Sequence, residues 1–114
     1  VKDYALRVFE PQLRRLADEA GFVVHTVKTR LQRTRLGSCT RLGVISLNAA
    51  MLFFPPELVR HLMFHELCHL REMNHGPGFW KLLLALDAQS LKNDKALKRA
   101  MRSGPGWLFR KLEN

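Results

Sequence analysis

The residues of this chain best suited to chemistry are His65-Glu66-Leu67-Cys68-His69. On a helix, His65 and His69 lie one turn apart and point the same way. Two imidazoles so placed can bind one Zn²⁺ at about 2.0–2.1 Å each. Glu66 sits one residue round and can reach a water on the ion without being a ligand. Catalytic zinc usually takes three protein ligands and leaves a fourth position for water. His75 lies just beyond the motif, and Asn74 or Gly76 can supply the turn that brings it back. One Zn²⁺ per chain, held by His65, His69 and His75, is the expected site. Zinc lowers the pKa of its water from about 16 toward about 7. Glu66 is expected to take that proton as general base and to deliver it later to the leaving group.

Other residues compete for these roles. A histidine at a helix C-terminus, as His75 would be, also interacts favourably with the dipole. His61 precedes His65 by one turn and is expected to line the cleft or face solvent. Glu72 is the substitute ligand if His75 is not one. His25 is alone on an expected strand and reads as a surface residue. Arg35, Arg41 and His61 are the candidates for a donor to a developing oxyanion. Phe79, Trp80 and Met73 read as core, with Phe79 and Trp80 packing the next helix under the metal helix. A closed four-ligand structural zinc site is the bland alternative.

These side chains need elements to hold them. Leu6, Phe9, Leu13, Leu16, Ala17 and Ala20 recur at helical spacing, so a helix is expected over residues 3–20. Pro11 should kink it or open a second piece, and Gly21 should stop it. Phe22 to Thr29 is apolar and β-branched and reads as a strand. Arg30 to Arg35 adds another extended piece, Gly37 to Thr40 a loop, and Gly43 to Leu47 a short strand paired with what precedes it. Asn48 to Phe53 reads as a helical turn. Pro55-Pro56-Glu57 opens the main helix, with proline at the first helical position and an acid near the positive end. That helix is expected to run to about Met73. A further helix should span Pro77 to about Ala88. A last one should span Lys92 to Arg102, stopped by Ser103-Gly104-Pro105-Gly106. Helix, small sheet, then helices is an α+β order.

A chain of 114 residues has room for one domain with one core, so residues 1–114 are expected to form a single domain. Nineteen Lys and Arg against ten Asp and Glu leave a net charge of +9. Lys28, Arg30, Arg33, Arg35 and Arg41 fall in a stretch with no acid, and Lys92, Lys95, Lys98, Arg99 and Arg102 form a second cluster. Such clusters attract anions, and non-specific contact with nucleic acid phosphates is expected of them. No aromatic interleaving accompanies them, so base readout is not expected. Either a peptide or a nucleotide is a suitable substrate, the latter because a phosphoanhydride suits a metal beside basic residues. No apolar run is long enough to span a membrane. Two cysteines, Cys39 and Cys68, make no disulfide framework and fit a reducing, cytoplasmic setting. Cys68 is expected to be buried and Cys39 to lie in the loop.

Residues 65–80, His-Glu-Leu-Cys-His-Leu-Arg-Glu-Met-Asn-His-Gly-Pro-Gly-Phe-Trp, resemble the YgjP-like metallopeptidase domain, a relative of the WLM and SprT-like proteases. Arg35-Leu36-Gly37-Ser38-Cys39 is similar to that family's Arg-Trp-Gly-Ser-Cys element, with Leu36 where the family usually has Trp. Ile45-Ser46-Leu47-Asn48 and Pro55-Pro56-Glu57 also fall where its pattern expects them. The resemblance covers about residues 20 to 82. It implies an α+β, zincin-like fold in which a small, partly antiparallel sheet packs on helices that carry the metal site. It implies ligands at His65, His69 and His75 and a base at Glu66. Metallopeptidase is the activity the family's motif carries. A nucleotide pyrophosphatase activity is also assigned among its members, and SprT-like relatives cut proteins crosslinked to DNA. Family members are usually longer, so the chain is expected to hold the catalytic half without an N-terminal half.

Overall fold

In the structure, a computed structural model that describes residues 1–32 and 35–103, the first periodic stretch becomes α1 (Lys2–Ala20). Ala5, Phe9, Leu13, Leu16 and Ala17 form its buried face. Pro11 does not divide it. The proline is exposed, and so is Arg7, whose carbonyl loses its amide partner, so water can replace the missing bond. Gly21 ends the helix with φ 79°, a left-handed conformation that suits glycine. The Phe22 amide then bonds back to the Ala17 carbonyl at 2.8 Å.

The sheet is mixed. β1 (Thr26–Arg30), β2 (Gly37–Cys39) and β3 (Val44–Asn48) stand in the order β1-β3-β2. β1 runs parallel to β3 with Val27 opposite Ile45, and β2 runs antiparallel to β3 with Ser38 opposite Ser46. Two expectations are corrected here. β1 begins four residues later than Phe22, because the Phe22 ring is committed to the core and only from His25 onward does the backbone bond to Gly43. Gly37–Cys39 is a strand rather than a loop, its ladder to β3 overriding the turn-forming look of Gly and Ser. The expected pairing of the Gly43–Leu47 strand, which is β3 here, with what precedes it holds, since β3 pairs antiparallel with β2. Arg33 and Thr34 of the expected extended piece, and the stop at Gly104-Pro105-Gly106, lie outside the described residues, while Arg30 belongs to β1.

A 3₁₀ turn (Ala49–Phe53) follows β3, as expected for a helical turn. Asn48 caps it, its side-chain oxygen accepting from the Ala50 amide at 3.0 Å. Pro56 takes the first helical position of α2 (Pro56–Cys68). Nine residues of α2 are buried, among them Leu58, Leu62, Met63 and Leu67, because α1, β2, α3 (Pro77–Leu86) and α4 (Ser90–Ser103) all pack on it. α2 stops at Cys68, five residues short of the expected end at Met73. Its last carbonyls are taken up by tighter turns, with His69, Leu70 and Arg71 amides bonding three residues back. That tightening lets the chain reverse toward α3. Arg71 fixes the reversal to the rest of the fold. It donates to the Gly21 carbonyl at 3.1 Å and stacks over the Phe22 ring at 4.4 Å.

Leu67 is fully buried on the central helix, whereas Leu42 is 85% exposed in the hairpin turn. Leu67→Ala should lower stability by about 2–5 kcal/mol, and Leu42→Ala by less than about 0.5 kcal/mol. Urea-unfolding midpoints of the two variants measure the difference.

Candidate metal centre and catalytic cleft

His65 sits near the C-terminal end of α2, and His69 is the residue that caps it. His69 keeps right-handed backbone angles, φ −65° and ψ −15°, so the two imidazoles stay on one face although the helix has ended. The reversal over residues 69–76 brings His75 back beside them. Ring centroids are 4.9 Å apart for His65–His69, 5.0 Å for His65–His75 and 4.6 Å for His69–His75. One donor nitrogen from each lies within 4.8 Å of the other two. Two nitrogens on one zinc ion can be at most about 4.2 Å apart, so a small ring rotation lets the three share an ion. The fully buried Phe79 ring, from the first turn of α3, stacks on His69 at 4.7 Å and meets His65 and His75 edge-on. Phe79 thus packs α3 under the site, as expected.

The protonation states suit a cation. His69 Nδ1 lies 2.9 Å from the Glu72 carbonyl oxygen, which can only accept. Nδ1 therefore carries the proton, and Nε2 keeps a lone pair for a metal. Partial burial holds the His75 imidazole below its usual pKa, and the neighbouring His65 and His69 act in the same direction. Both influences favour the neutral ring, the form a metal ligand needs.

Glu66 is buried at 4% exposure, with Oε2 3.3 Å from His65 Nδ1. Its other neighbour is the edge strand. A Cβ on Gly37 would stand 2.9 Å from Glu66 Oε2 and 3.2 Å from the Ser46 carbonyl. Only glycine lets β2 lie this close to the carboxylate. The sequence signal for this was the Gly-Ser-Cys run, which read as punctuation instead.

These groups open on a cleft of about 420 Å³. Arg35, Leu36, Gly37, Ser38 and Cys39 form one wall, and Asp94, Leu97, Lys98 and Met101 of α4 form the other. The α4 wall had no sequence signal beyond amphipathic spacing. Met73 lines the cleft at 40% exposure and is not core. Leu36 is buried at 5%, so this position packs into the core at the cleft's edge.

Other candidates go elsewhere. His61 neither lines the cleft nor faces solvent. It is fully buried, its Nδ1 3.7 Å from Asp87 and its Nε2 3.7 Å from Asp94, with no hydrogen bond to either nitrogen. Burial pushes its pKa down, and the two carboxylates oppose that push. The reason is the tight packing of α4 on this side of α2, which the motif does not reveal. Glu72 is not among the converging donors. Its carboxylate lies against the backbone of Gly78, within about 3 Å of where a Cβ would be, at the N-terminal turn of α3. An acid there meets the positive end of the helix. Arg41 lies in the hairpin turn beside a different hollow, with Gly21 and Phe22. His25 is exposed and its ring Nδ1 lies 2.6 Å from the Thr26 hydroxyl, the surface role expected of it.

The same fold occurs in two metallopeptidase zymogens of known structure. Pyrococcus abyssi abylysin shares 22% identity with a TM-score of 0.69, covering 83% of this chain and 93% of that one. Methanocaldococcus jannaschii jannalysin shares 15% with a TM-score of 0.70, covering 81% and 95%. Among curated proteins none matches. These likenesses show that this chain shares the α+β fold of those two proteins. The model of the YgjP-like metallopeptidase domain matches residues 1–100, and the chain belongs to that family. The match reaches well beyond the residues 20 to 82 that carried the resemblance, taking in α1 and most of α4.

Cys39 reports on this cleft. Burial pushes its thiol up to about 11, and the Glu66 carboxylate pushes the same way. At pH 8 little thiolate exists, so alkylation should be slow and should accelerate as pH rises toward 11. Glu66→Gln should speed the reaction at fixed pH. Mass spectrometry of iodoacetamide-treated protein measures it, and a rate independent of Glu66 would show that the two groups are not coupled.

Proposed function

We propose that this chain is a zinc-dependent peptidase in which His65, His69 and His75 hold the ion and Glu66 is the general base. The observation that carries this is the convergence of three donor nitrogens within 4.8 Å beside a buried carboxylate. The donor set supports it, because three neutral imidazoles suit zinc and leave room for water. Among the described residues no fourth donor joins the cluster, which speaks against a closed structural site. Zinc bound there supplies Lewis acidity, making water acidic enough to lose a proton near neutral pH and polarising a carbonyl.

The protein's own residues do the rest. Glu66 accepts the proton of the attacking water and returns it to the departing amine. Its burial keeps the carboxylate out of bulk solvent, and the absence of a side chain at Gly37 leaves it room. The Glu72 carbonyl fixes the His69 tautomer and orientation. Phe79 holds the three rings from below, so their directions do not depend on solvent. The short edge strand β2 borders the cleft and presents backbone groups to whatever lies in it. A polypeptide suits such an edge because it can continue the ladder. Of the three candidate oxyanion donors, Arg35 alone lines the cleft.

Two variants test the assignment with separate readouts. Glu66→Gln should keep one zinc per chain by elemental analysis and reduce peptide hydrolysis by at least about a hundredfold. Full turnover in that variant would refute the base assignment. His75→Ala should lose zinc along with activity, whereas a fully metallated His75→Ala protein would remove it from the ligand set.

A further inference from the structure

The lining of the cleft carries four charged side chains, and three of them contact a partner side chain. Glu66 contacts His65 at 3.3 Å. Lys98 pairs with Asp94 at 3.0 Å, and Asp94 also faces His61. Arg35 is the fourth. Its side chain is exposed at the cleft and has no hydrogen bond or ion pair among the described residues.

Its backbone, by contrast, is fixed. Asn48 is 3% exposed, and its Nδ2 donates to the Arg35 carbonyl at 2.9 Å and to the Gln32 carbonyl at 2.7 Å. The Asn48 amide donates to the Leu36 carbonyl at 2.8 Å. One buried side chain thus pins the segment that delivers Arg35. Two residues later comes Gly37, which touches the Glu66 carboxylate. An extended chain advances about 3.3 Å per residue, so the Arg35 backbone lies within about 7 Å of Gly37. A guanidinium on that stem is placed to meet a group about one residue away from the bond being cut.

We propose that Arg35 is a specificity-determining residue that binds a carboxylate of the peptide substrate flanking the scissile bond. This rests on the peptidase reading above. An arginine can hold a carboxylate in a two-pronged contact that lysine cannot reproduce. With Lys98 and Asp94 neutralising each other and Glu66 buried against His65, Arg35 is the exposed charged side chain of the cleft on the β2 side that has no partner among the described residues. The carboxylate belongs either to an Asp or Glu side chain or to a free C-terminus, and the chemistry of recognition is the same. Asn48 acts through Arg35 as a positioning residue.

The test uses the zinc-loaded protein and a peptide library cleaved under one set of conditions. Matched substrates carry Glu or Gln at each position beside the cleaved bond, with a free or amidated C-terminus. The wild type should favour one acidic member over its amide by about tenfold in kcat/KM, a charge-assisted contact being worth about that. Arg35→Gln should bring that ratio to near one, mainly through KM, and Arg35→Glu should invert it. The position that responds tells a side-chain carboxylate from a terminal one. Zinc-dependent cleavage without any acid preference would overturn the proposal and leave the peptidase reading standing. An equal loss of kcat on both members of a pair would place Arg35 at the reacting carbonyl instead, and also overturn it. No cleavage of any peptide, with release of pyrophosphate from nucleoside triphosphates, would overturn both.

Discussion

The structure depends on one constraint, that three imidazoles share a space barely wider than a single ion. Two of them come free with the helix, since His65 and His69 repeat at one turn. The third requires the chain to reverse within a few residues of His69. α2 therefore ends early, at Cys68, and its carbonyls are satisfied by tight turns rather than by further helix. Everything around the reversal serves to hold it. Arg71 reaches back across the chain to Gly21, Glu72 lies at the start of α3, and the Glu72 carbonyl bonds His69. Phe79 fills the floor, and a void under three unpacked rings would leave their directions undefined.

The second demand is electrostatic. A buried carboxylate is costly, because burial favours the neutral acid. Glu66 lies against His65 on one side and bare backbone on the other. Gly37 is thus a requirement of Glu66, not of the turn. Its neighbours Ser38 and Cys39 have ordinary strand geometry, with ladder partners Ser46 and Ile45 on β3. The raised Cys39 thiol is the other face of the same arrangement. The carboxylate that is useful to the site makes a nearby thiolate unfavourable.

His65, Glu66 and His69 were legible in the sequence because helical spacing is a local rule and the motif obeys it, whereas His75 depended on the turn expected at Asn74 or Gly76. α1, the 3₁₀ turn and the proline start of α2 were legible for the same reason. What failed was non-local. Nothing local to His61 shows that Asp87 and Asp94 will close over it from later in the chain, so it read as a cleft residue. Met73 is apolar and read as core, but the early end of α2 leaves it in the cleft. Gly37–Cys39 carries turn-forming residues and became a strand because β3 offers it a partner. Asn48 stands at a strand end, where asparagine has many uses, and its grip on the Gln32 and Arg35 carbonyls joins groups 16 and 13 residues away in the chain.

The two walls of the cleft are held by different physics. The β2 wall is tied by backbone ladder bonds to β3 and by the buried Asn48 side chain, each a directional contact with a satisfied donor. The α4 wall has Leu97 as a buried apolar anchor and otherwise leans on polar neighbours. His61, facing Asp94 of this wall and Asp87 at the end of α3 at 3.7 Å each, makes no hydrogen bond to either. A buried imidazole without partners costs free energy that a bonded one would not. The wall nearest Glu66 is therefore the better determined of the two. That is the arrangement a cleaving site needs, because the distance from Glu66 to its surroundings must be fixed more tightly than the width of the groove that admits a substrate.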